Sequence, residues 1–169
     1  MQGVKKMKIG IIYYTHGGHT HEIAECIAKG IHSKEVEVRL FSLSEQLDTE
    51  YLNECAGIIF GTPTYMATSH WRVVEWLTKD RSIKLGGKLG GCFATAHYAQ
   101  GGSDSAIMSL VGILMTKGML VYSGGSALGK PFIHHGPVAL DAVGNHFEES
   151  KELFEIFGQR FAAKALELF

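Results

Sequence analysis

Lys8-Ile9-Gly10-Ile11-Ile12-Tyr13-Tyr14-Thr15-His16-Gly17-Gly18-His19-Thr20-His21-Glu22-Ile23 decides how the rest of the chain is read. Its first part is almost continuously apolar, the pattern of a strand buried on both faces. Beyond the polar stretch, Ile23, Ile27 and Ile31 recur every fourth residue beside Ala24 and Ala28 and mark one helical core face. Thr15 to Thr20 therefore joins a strand end to a helix start, where unpaired backbone N–H groups and the helix dipole welcome an anion. Gly17 and Gly18 let the backbone curl closely, the Thr15 and Thr20 hydroxyls can donate to phosphate oxygens, and His16 and His19 complete the loop. No Lys or Arg lies within it, which suits one terminal phosphomonoester better than a metal-bridged triphosphate. The plain alternative is a strand-to-helix turn with Thr20 as N-cap.

Further strands and helices alternate outward from this unit. Glu35 to Phe41 alternates as a strand near an edge, and Ala56 to Gly61 is a third, buried strand that Thr62-Pro63-Thr64 is expected to end. A helix carries Trp71, Val74 and Leu77, Leu89 to Ala96 forms a fourth strand, and Ile107, Leu110, Val111, Leu114 and Met115 trace another helical stripe. Met119 to Tyr122 is the fifth strand, and a last helix runs from about Glu148 to Leu168. Five such strands predict an α/β fold with a parallel sheet covered by helices on both faces, and ligands that collect beyond the strands' carboxyl ends. Three loops meet that condition: Thr15 to Thr20, Thr62 to Thr68, and Thr95 to Gly102.

The dinucleotide fingerprint G-x-G-x-x-G is missing after the first strand, and no acidic residue ends the second, so a pyridine-dinucleotide Rossmann domain is not expected. Gly124-Gly125-Ser126-Ala127-Leu128-Gly129-Lys130 has triphosphate-loop spacing, but Pro131 stands where Ser or Thr would hold magnesium. With 169 residues and no linker or repeat, residues 1–169 are read as one domain. The formal net charge of -1 argues against nucleic acid and anionic membrane as partners. It also lacks the acidity expected of a shuttle docking onto basic partners. Cys26, Cys55 and Cys92 sit in apolar surroundings and read as reduced thiols. Met1 to Lys8 is basic, but Ile9 to Tyr14 is too short and strand-like for a signal sequence, so a cytoplasmic protein is expected.

The run Ile11 to Ala24 resembles, position for position, the FMN-phosphate signature of flavodoxins, and Gly61-Thr62-Pro63-Thr64-Tyr65 is similar to the second flavin loop of NAD(P)H:quinone oxidoreductases related to the tryptophan-repressor-binding protein. The resemblance extends to about Tyr122. It implies a flavodoxin-like three-layer sandwich with strand order 2-1-3-4-5, bound FMN, NADH or NADPH as co-substrate, and often a homodimer or homotetramer. It assigns Thr15, His16, Gly17, Gly18, His19 and Thr20 to the phosphate. Pro63, Thr64, Tyr65 and Met66 border the isoalloxazine, and Thr95, Ala96, His97, Tyr98, Gly101 and Gly102 close its other edge. Tyr65 or Tyr98 offers the ring an aromatic face, and backbone amides near Ala67 and Gly102 meet its polar edge. Departures lie at Ala96-His97-Tyr98-Ala99-Gln100, bulkier than a glycine-rich loop, and at Thr116-Lys117-Gly118, where those reductases carry His-His-Gly. The segment from Gly125 to Asn145 matches neither family and reads as a functional or interface loop.

Nine histidines invite a metal reading, yet they lack Cys or carboxylate ligands at fixed spacing. His97 is the one candidate catalytic side chain, a proton donor to flavin or quinone; the plain reading is a surface loop histidine. Trp71 is favoured over Trp76 for core or subunit contact. The leading expectation is an FMN oxidoreductase passing electrons from NAD(P)H to a quinone-like acceptor. The alternatives are a flavodoxin-type electron carrier, against which the non-glycine Tyr65-Met66-Ala67 turn weighs, and a scaffold keeping FMN as a structural ligand.

Overall fold

The computed structural model describes residues 6–169, and the leader question raised by residues 1–5 lies outside them. In chain order the elements are β1 (Lys8–Tyr13), α1 (His19–His32), β2 (Glu37–Ser42), α2 (Thr49–Glu54), β3 (Gly57–Tyr65), β4 (Thr68–Ser69), α3 (Trp71–Lys79), β5 (Leu89–Ala96), α4 (Ser103–Thr116), β6 (Leu120–Val121), β7 (Val138–Leu140) and α5 (His146–Leu168). The central path runs β2-β1-β3-β5-β6, all parallel, so the five strands read from sequence stand in the expected order.

One face carries a core built from Ile23, Ile27 and Ile31 of α1 and Phe154, Phe157 and Phe161 of α5. The other carries Tyr51 and Leu52 of α2, Val73 and Leu77 of α3, and Ile107, Leu110 and Leu114 of α4. The helices thus cover both faces. Small residues allow the closest approaches. A Cβ at Gly57 or Gly91 would lie 2.8 or 2.9 Å from the ring of Phe161, so two glycines on adjacent strands make room for one aromatic side chain.

Three features depart from the sequence expectation. β3 does not stop at Pro63 but runs on to Tyr65 and folds back onto β4. The register of β1 with β3 ends at Gly61, whereas β5 stays paired as far as Pro63 with Thr95. Beyond Gly61, β3 is therefore an edge on the β1 side, where a missing N–H is tolerated. Trp71 is 60% exposed, and Trp76 is the tryptophan that packs inward, 6.2 Å from Phe60. The inner face of α3 is set by Val73 and Leu77.

The third departure is the fifth strand. Only Leu120 and Val121 pair with β5; the chain then leaves the sheet and returns as β7, with Val138, Ala139 and Leu140 opposite Ala94, Thr95 and Ala96. Gly124 and Gly125 turn the chain outward at φ +93° and +66°, a backbone region that side-chain-bearing residues rarely adopt. Arg160 of α5 gathers the excursion: its Nη1 donates to the carbonyls of Gly124, Gly125 and Pro131 at 3.1, 3.2 and 2.9 Å, and its Nη2 to those of Gly129 and Lys130 at 3.1 and 3.0 Å. A planar guanidinium presents five donors in a fixed fork, which lysine cannot imitate. Both Arg160→Ala and Arg160→Lys are therefore expected to release the excursion. Limited proteolysis should cut each variant between residues 122 and 137 at least about tenfold faster, as expected when local opening loses charge-assisted hydrogen bonds.

Candidate functional site

The carboxyl ends of β1, β3 and β5 bring the three sequence-read loops to one end of the sheet. At the first, Gly18 is the N-cap of α1 at φ 97°, without a side-chain cap, and its N–H donates to Thr15 Oγ1 at 3.0 Å. The amides of His19, Thr20 and His21 in the first turn have no partner among the described residues. A Cβ at Gly17 or Gly18 would meet nothing within 4 Å, so the loop forms an open cradle. Thr20 is not the N-cap of the plain reading. Its hydroxyl is buried and shares a 2.9 Å hydrogen bond with the Thr95 hydroxyl, tying the start of α1 to the end of β5. Within that pair one hydroxyl donates to the other, which leaves a single proton for a ligand.

The second loop is the β3–β4 hairpin. Thr64 and Tyr65 pair with Ser69 and Thr68, and Met66 and Ala67 form the two-residue turn at φ 49° and 59°. Tight hairpins favour turns with both central residues at positive φ, usually filled by Asn and Gly. Here non-glycine residues hold that conformation, with the left-handed strain that the Tyr65-Met66-Ala67 sequence implies. Ala67→Gly is expected to raise stability by about 0.5–1 kcal/mol, relief of left-handed strain exceeding the added chain entropy; chemical denaturation checks this. The Thr62 hydroxyl accepts from His70 N–H at 2.9 Å and donates to the Pro63 carbonyl at 2.9 Å, fixing the hairpin base. Thr64 Oγ1 is buried without a hydrogen-bond partner.

The third loop meets the second directly. A Cβ at Gly102 would lie 2.5 Å from Ala67 Cα, and Gly102 itself is the N-cap of α4 at φ 86°. Gly101 N–H closes a turn onto the Tyr98 carbonyl at 3.0 Å. Thr95 and Ala96 are buried at the end of β5, while Tyr65, Met66 and Tyr98 are exposed, Met66 at 96%. Aromatic and thioether surface thus borders the loops on both sides.

Around the hairpin base, Tyr14 stacks on His70 at 4.1 Å, Tyr65 meets His70 edge-on at 4.9 Å, and the Arg72 guanidinium lies 5.5 Å over Tyr14 and 5.1 Å over Trp71. Burial, with Arg72 and His16 adding to it, pushes the His70 imidazole below the usual histidine range, and its Nδ1 accepts the Arg72 N–H. A cleft of about 490 Å³ follows the outer side of α3 between Leu43 and Lys79; it shares Trp71 and Arg72 with this rim but none of the Thr15 to Thr20 cradle.

Sequence reasoning missed Asp141. Its Oδ1 lies 2.6 Å from His97 Nδ1 and its Oδ2 2.7 Å from His19 Nδ1. The candidate catalytic histidine and a histidine of the Thr15 to Thr20 loop therefore share one carboxylate. A lone Asp just past an excursion gives no periodic signal; only the return of β7 beside β5 brings it to the loops. Among the described residues no group of three or more His, Cys, Asp or Glu is arranged to hold a metal ion, and His135 Nδ1 lies 4.0 Å from Asp104 at the start of α4. Cys55 and Cys92 are buried, and burial pushes the Cys55 thiol up to about 12. No helix among the described residues is long and apolar enough to cross a membrane.

A parallel sheet with an anion-receptive helix start and two flanking loops defines the class of α/β nucleotide-type binding folds. The flavodoxin family model matches residues 11–126, and the chain belongs to that family. It is 42% identical over 164 residues to a flavodoxin of Clostridium saccharobutylicum, covering 96% of this chain and all of that protein. It is 26% identical over 165 residues to an NAD(P)H dehydrogenase (quinone) of Solidesulfovibrio magneticus, covering 81% of this chain and 78% of that one. Among solved structures, the WrbA-like flavodoxin of Agrobacterium tumefaciens superposes with a TM-score of 0.76 at 23% identity, covering 97% of this chain and 100% of that one. A Fusobacterium nucleatum flavodoxin mutant bound to flavin mononucleotide gives 0.65 at 21%, covering 98% and 99%.

Proposed function

We propose that this chain is a flavodoxin-type electron carrier, residues 1–169 acting as one FMN-binding domain. The observation that carries the reading is the Thr15 to Thr20 cradle: three unpaired first-turn amides, an open Gly17-Gly18 backbone and no cation, the donor set that an uncrowded phosphomonoester needs. The orphaned Thr64 hydroxyl and the exposed Tyr65, Met66 and Tyr98 fit a flat heteroaromatic ring with a polar edge. His16 and His19 complete the phosphate end, Pro63, Thr64, Tyr65 and Met66 border one side of the ring, and Thr95, Ala96, His97, Tyr98, Gly101 and Gly102 border the other. When bound, FMN supplies one- and two-electron redox chemistry through its isoalloxazine ring. The residues' part is to anchor the tail, shield the ring's inner edge and leave its outer edge reachable. Kinship with a protein named flavodoxin, at 42% identity over its whole length, supports this carrier reading.

The more distant kinship with proteins named NAD(P)H dehydrogenase (quinone) supports a second reading, in which the same site takes electrons from NADH or NADPH and reduces a quinone-like acceptor, with homo-oligomers and His97 as proton donor. A reductive titration of the FMN-loaded protein separates the two. The carrier reading expects two well-resolved one-electron potentials and negligible oxidation of either nicotinamide with benzoquinone present. A single two-electron couple with sustained nicotinamide-dependent quinone reduction would replace it with the enzyme reading.

A further inference from the structure

Both oxygens of the Asp141 carboxylate are committed to imidazoles, Oδ1 to His97 and Oδ2 to His19, and its side chain is only 11% exposed. Asp141 is held from the backbone too: its N–H donates to the Ala96 carbonyl at 3.0 Å and the next amide, of Ala142, to the His97 carbonyl at 3.0 Å. The end of β7 therefore grips the loop after β5 through main chain and side chain together. An ionised carboxylate only accepts, so Nδ1 donates in each ring. Neutral His19 then has a lone pair at Nε2, which has no partner among the described residues; the protonated ring has a second N–H there.

His19 is the first residue of α1, beside the three unpaired amides of the cradle. A phosphate dianion offers only acceptors, and the loop contains no Lys or Arg. Toward a phosphate within its reach a neutral His19 has only a lone pair at Nε2 to offer, whereas a protonated one adds a donor and a positive charge. We infer that Asp141 is a positioning residue for the phosphate end of this site, holding His19 and His97 so that anchoring a phosphomonoester is linked to proton uptake by the imidazoles. The inference rests on the FMN-carrier reading. In the linked step a proton moves from solvent to His19 Nε2, and no covalent bond to the ligand forms or breaks.

Other charges facing the group are already engaged. From α5, Phe147 packs on His19 at 4.9 Å, and Lys151, 5.5 Å from the Phe147 ring, bonds Glu22 of α1 at 2.5 Å and Glu148 at 2.7 Å. His21 is held by Tyr13 at 2.6 Å and lies 3.5 Å from Glu25, and His146 Nδ1 accepts the Leu140 N–H at 3.2 Å. His16 is the one loop imidazole outside these pairs, and Tyr98 is the neighbouring titratable group after β5. His97, 76% exposed, meets the same carboxylate from the loop after β5.

The test compares dissociation constants for FMN and for riboflavin, which lacks the phosphate, by flavin fluorescence across about pH 5.5 to 8.5. Wild type, Asp141→Asn, His19→Gln and Asp141→Glu are measured, with heat of binding in two buffers of different ionisation enthalpy to count protons. As pH rises across that range, FMN affinity should fall about tenfold more in the wild type than in Asp141→Asn or His19→Gln, with more proton uptake on FMN binding. Asp141→Asn and His19→Gln should each weaken FMN about tenfold more than riboflavin at the acid end and abolish the extra slope. The double variant should be no worse than either single one, and Asp141→Glu should restore part of the slope. The phosphate's own titration favours FMN binding as pH rises and is absent from riboflavin, but it is the same in every protein, so the slope is read as the difference between wild type and variants for FMN. A wild-type preference for FMN with identical slopes in all variants overturns the inference while leaving the FMN reading intact. A wild type that binds neither flavin overturns both.

Discussion

Alanine at Gly158 or at Gly30 will destabilise the protein by at least about 3 kcal/mol, the upper part of the range for overpacking. The two glycines lie where α1 and α5 cross. A Cβ on Gly30 would sit 1.9 Å from the Glu155 carbonyl oxygen, and one on Gly158 2.2 Å from that of Ile27. Both obstacles are backbone, so no side chain can rotate away and the helices must part. Parting them exposes Ile27, Ile31, Phe154 and Phe161, the centre of one core face. The intrinsic helix preference for alanine, worth about 1 kcal/mol, offsets only part of the loss. Thermal denaturation should show a drop of roughly 6–12 °C for a chain of this size. Gly112 of α4 is the control, because a Cβ there meets nothing within 4 Å. The same substitution at Gly112 should stabilise by up to about 1 kcal/mol. Equal effects at Gly30, Gly158 and Gly112 would mean that the helices do not cross at these residues.

Valine at Gly18 will weaken FMN binding at least about a hundredfold, the equivalent of nearly 3 kcal/mol. At φ 97° and ψ -21° the N-cap lies where a β-branched residue is strained, although open space surrounds it. The chain escapes that strain by rotating the peptides on either side, and those peptides carry the amides proposed to meet the phosphate. Riboflavin, without a phosphate, should lose little affinity. Gly17→Ala supplies the contrast, because Gly17 has open space and no positive φ, and its FMN affinity should stay within about threefold. Parallel titrations with the two flavins check all three expectations. Equal losses for FMN and riboflavin at Gly18 would mean that the loop supports the ring and not the phosphate.

The parallel sheet was legible because its strands are buried on both faces: Ile9 to Tyr13 and Ile58 to Phe60 have no polar interruption for the eye to resolve. The Thr15 to Thr20 cradle was legible because strand end, glycine pair and helix stripe follow one another without a gap. Signals failed where the deciding partner is distant in sequence. Pro63 ends a strand by local rule, yet β3 continues because β1 has already left its other side. Trp71 and Trp76 sit five apart on different faces of α3, and the Val73 and Leu77 stripe decides which of them faces inward. The fifth strand was cut short because its second half, Val138 to Leu140, lies beyond an excursion that no short-range pattern bridges. Asp141 follows that half directly, and so the carboxylate joining His19 to His97 was hidden by the same detour.

That detour also governs how the molecule meets its own copies. A sheet margin made of two residues, a departure and then three residues presents no continuous row of amides on which another chain can zip. At the opposite margin, β2 carries Glu37 and Arg39, and Arg39 lies 4.2 Å over the Tyr51 ring. Charge guards one side and interruption the other, so crowding should not drive strand-to-strand polymerisation of the native protein.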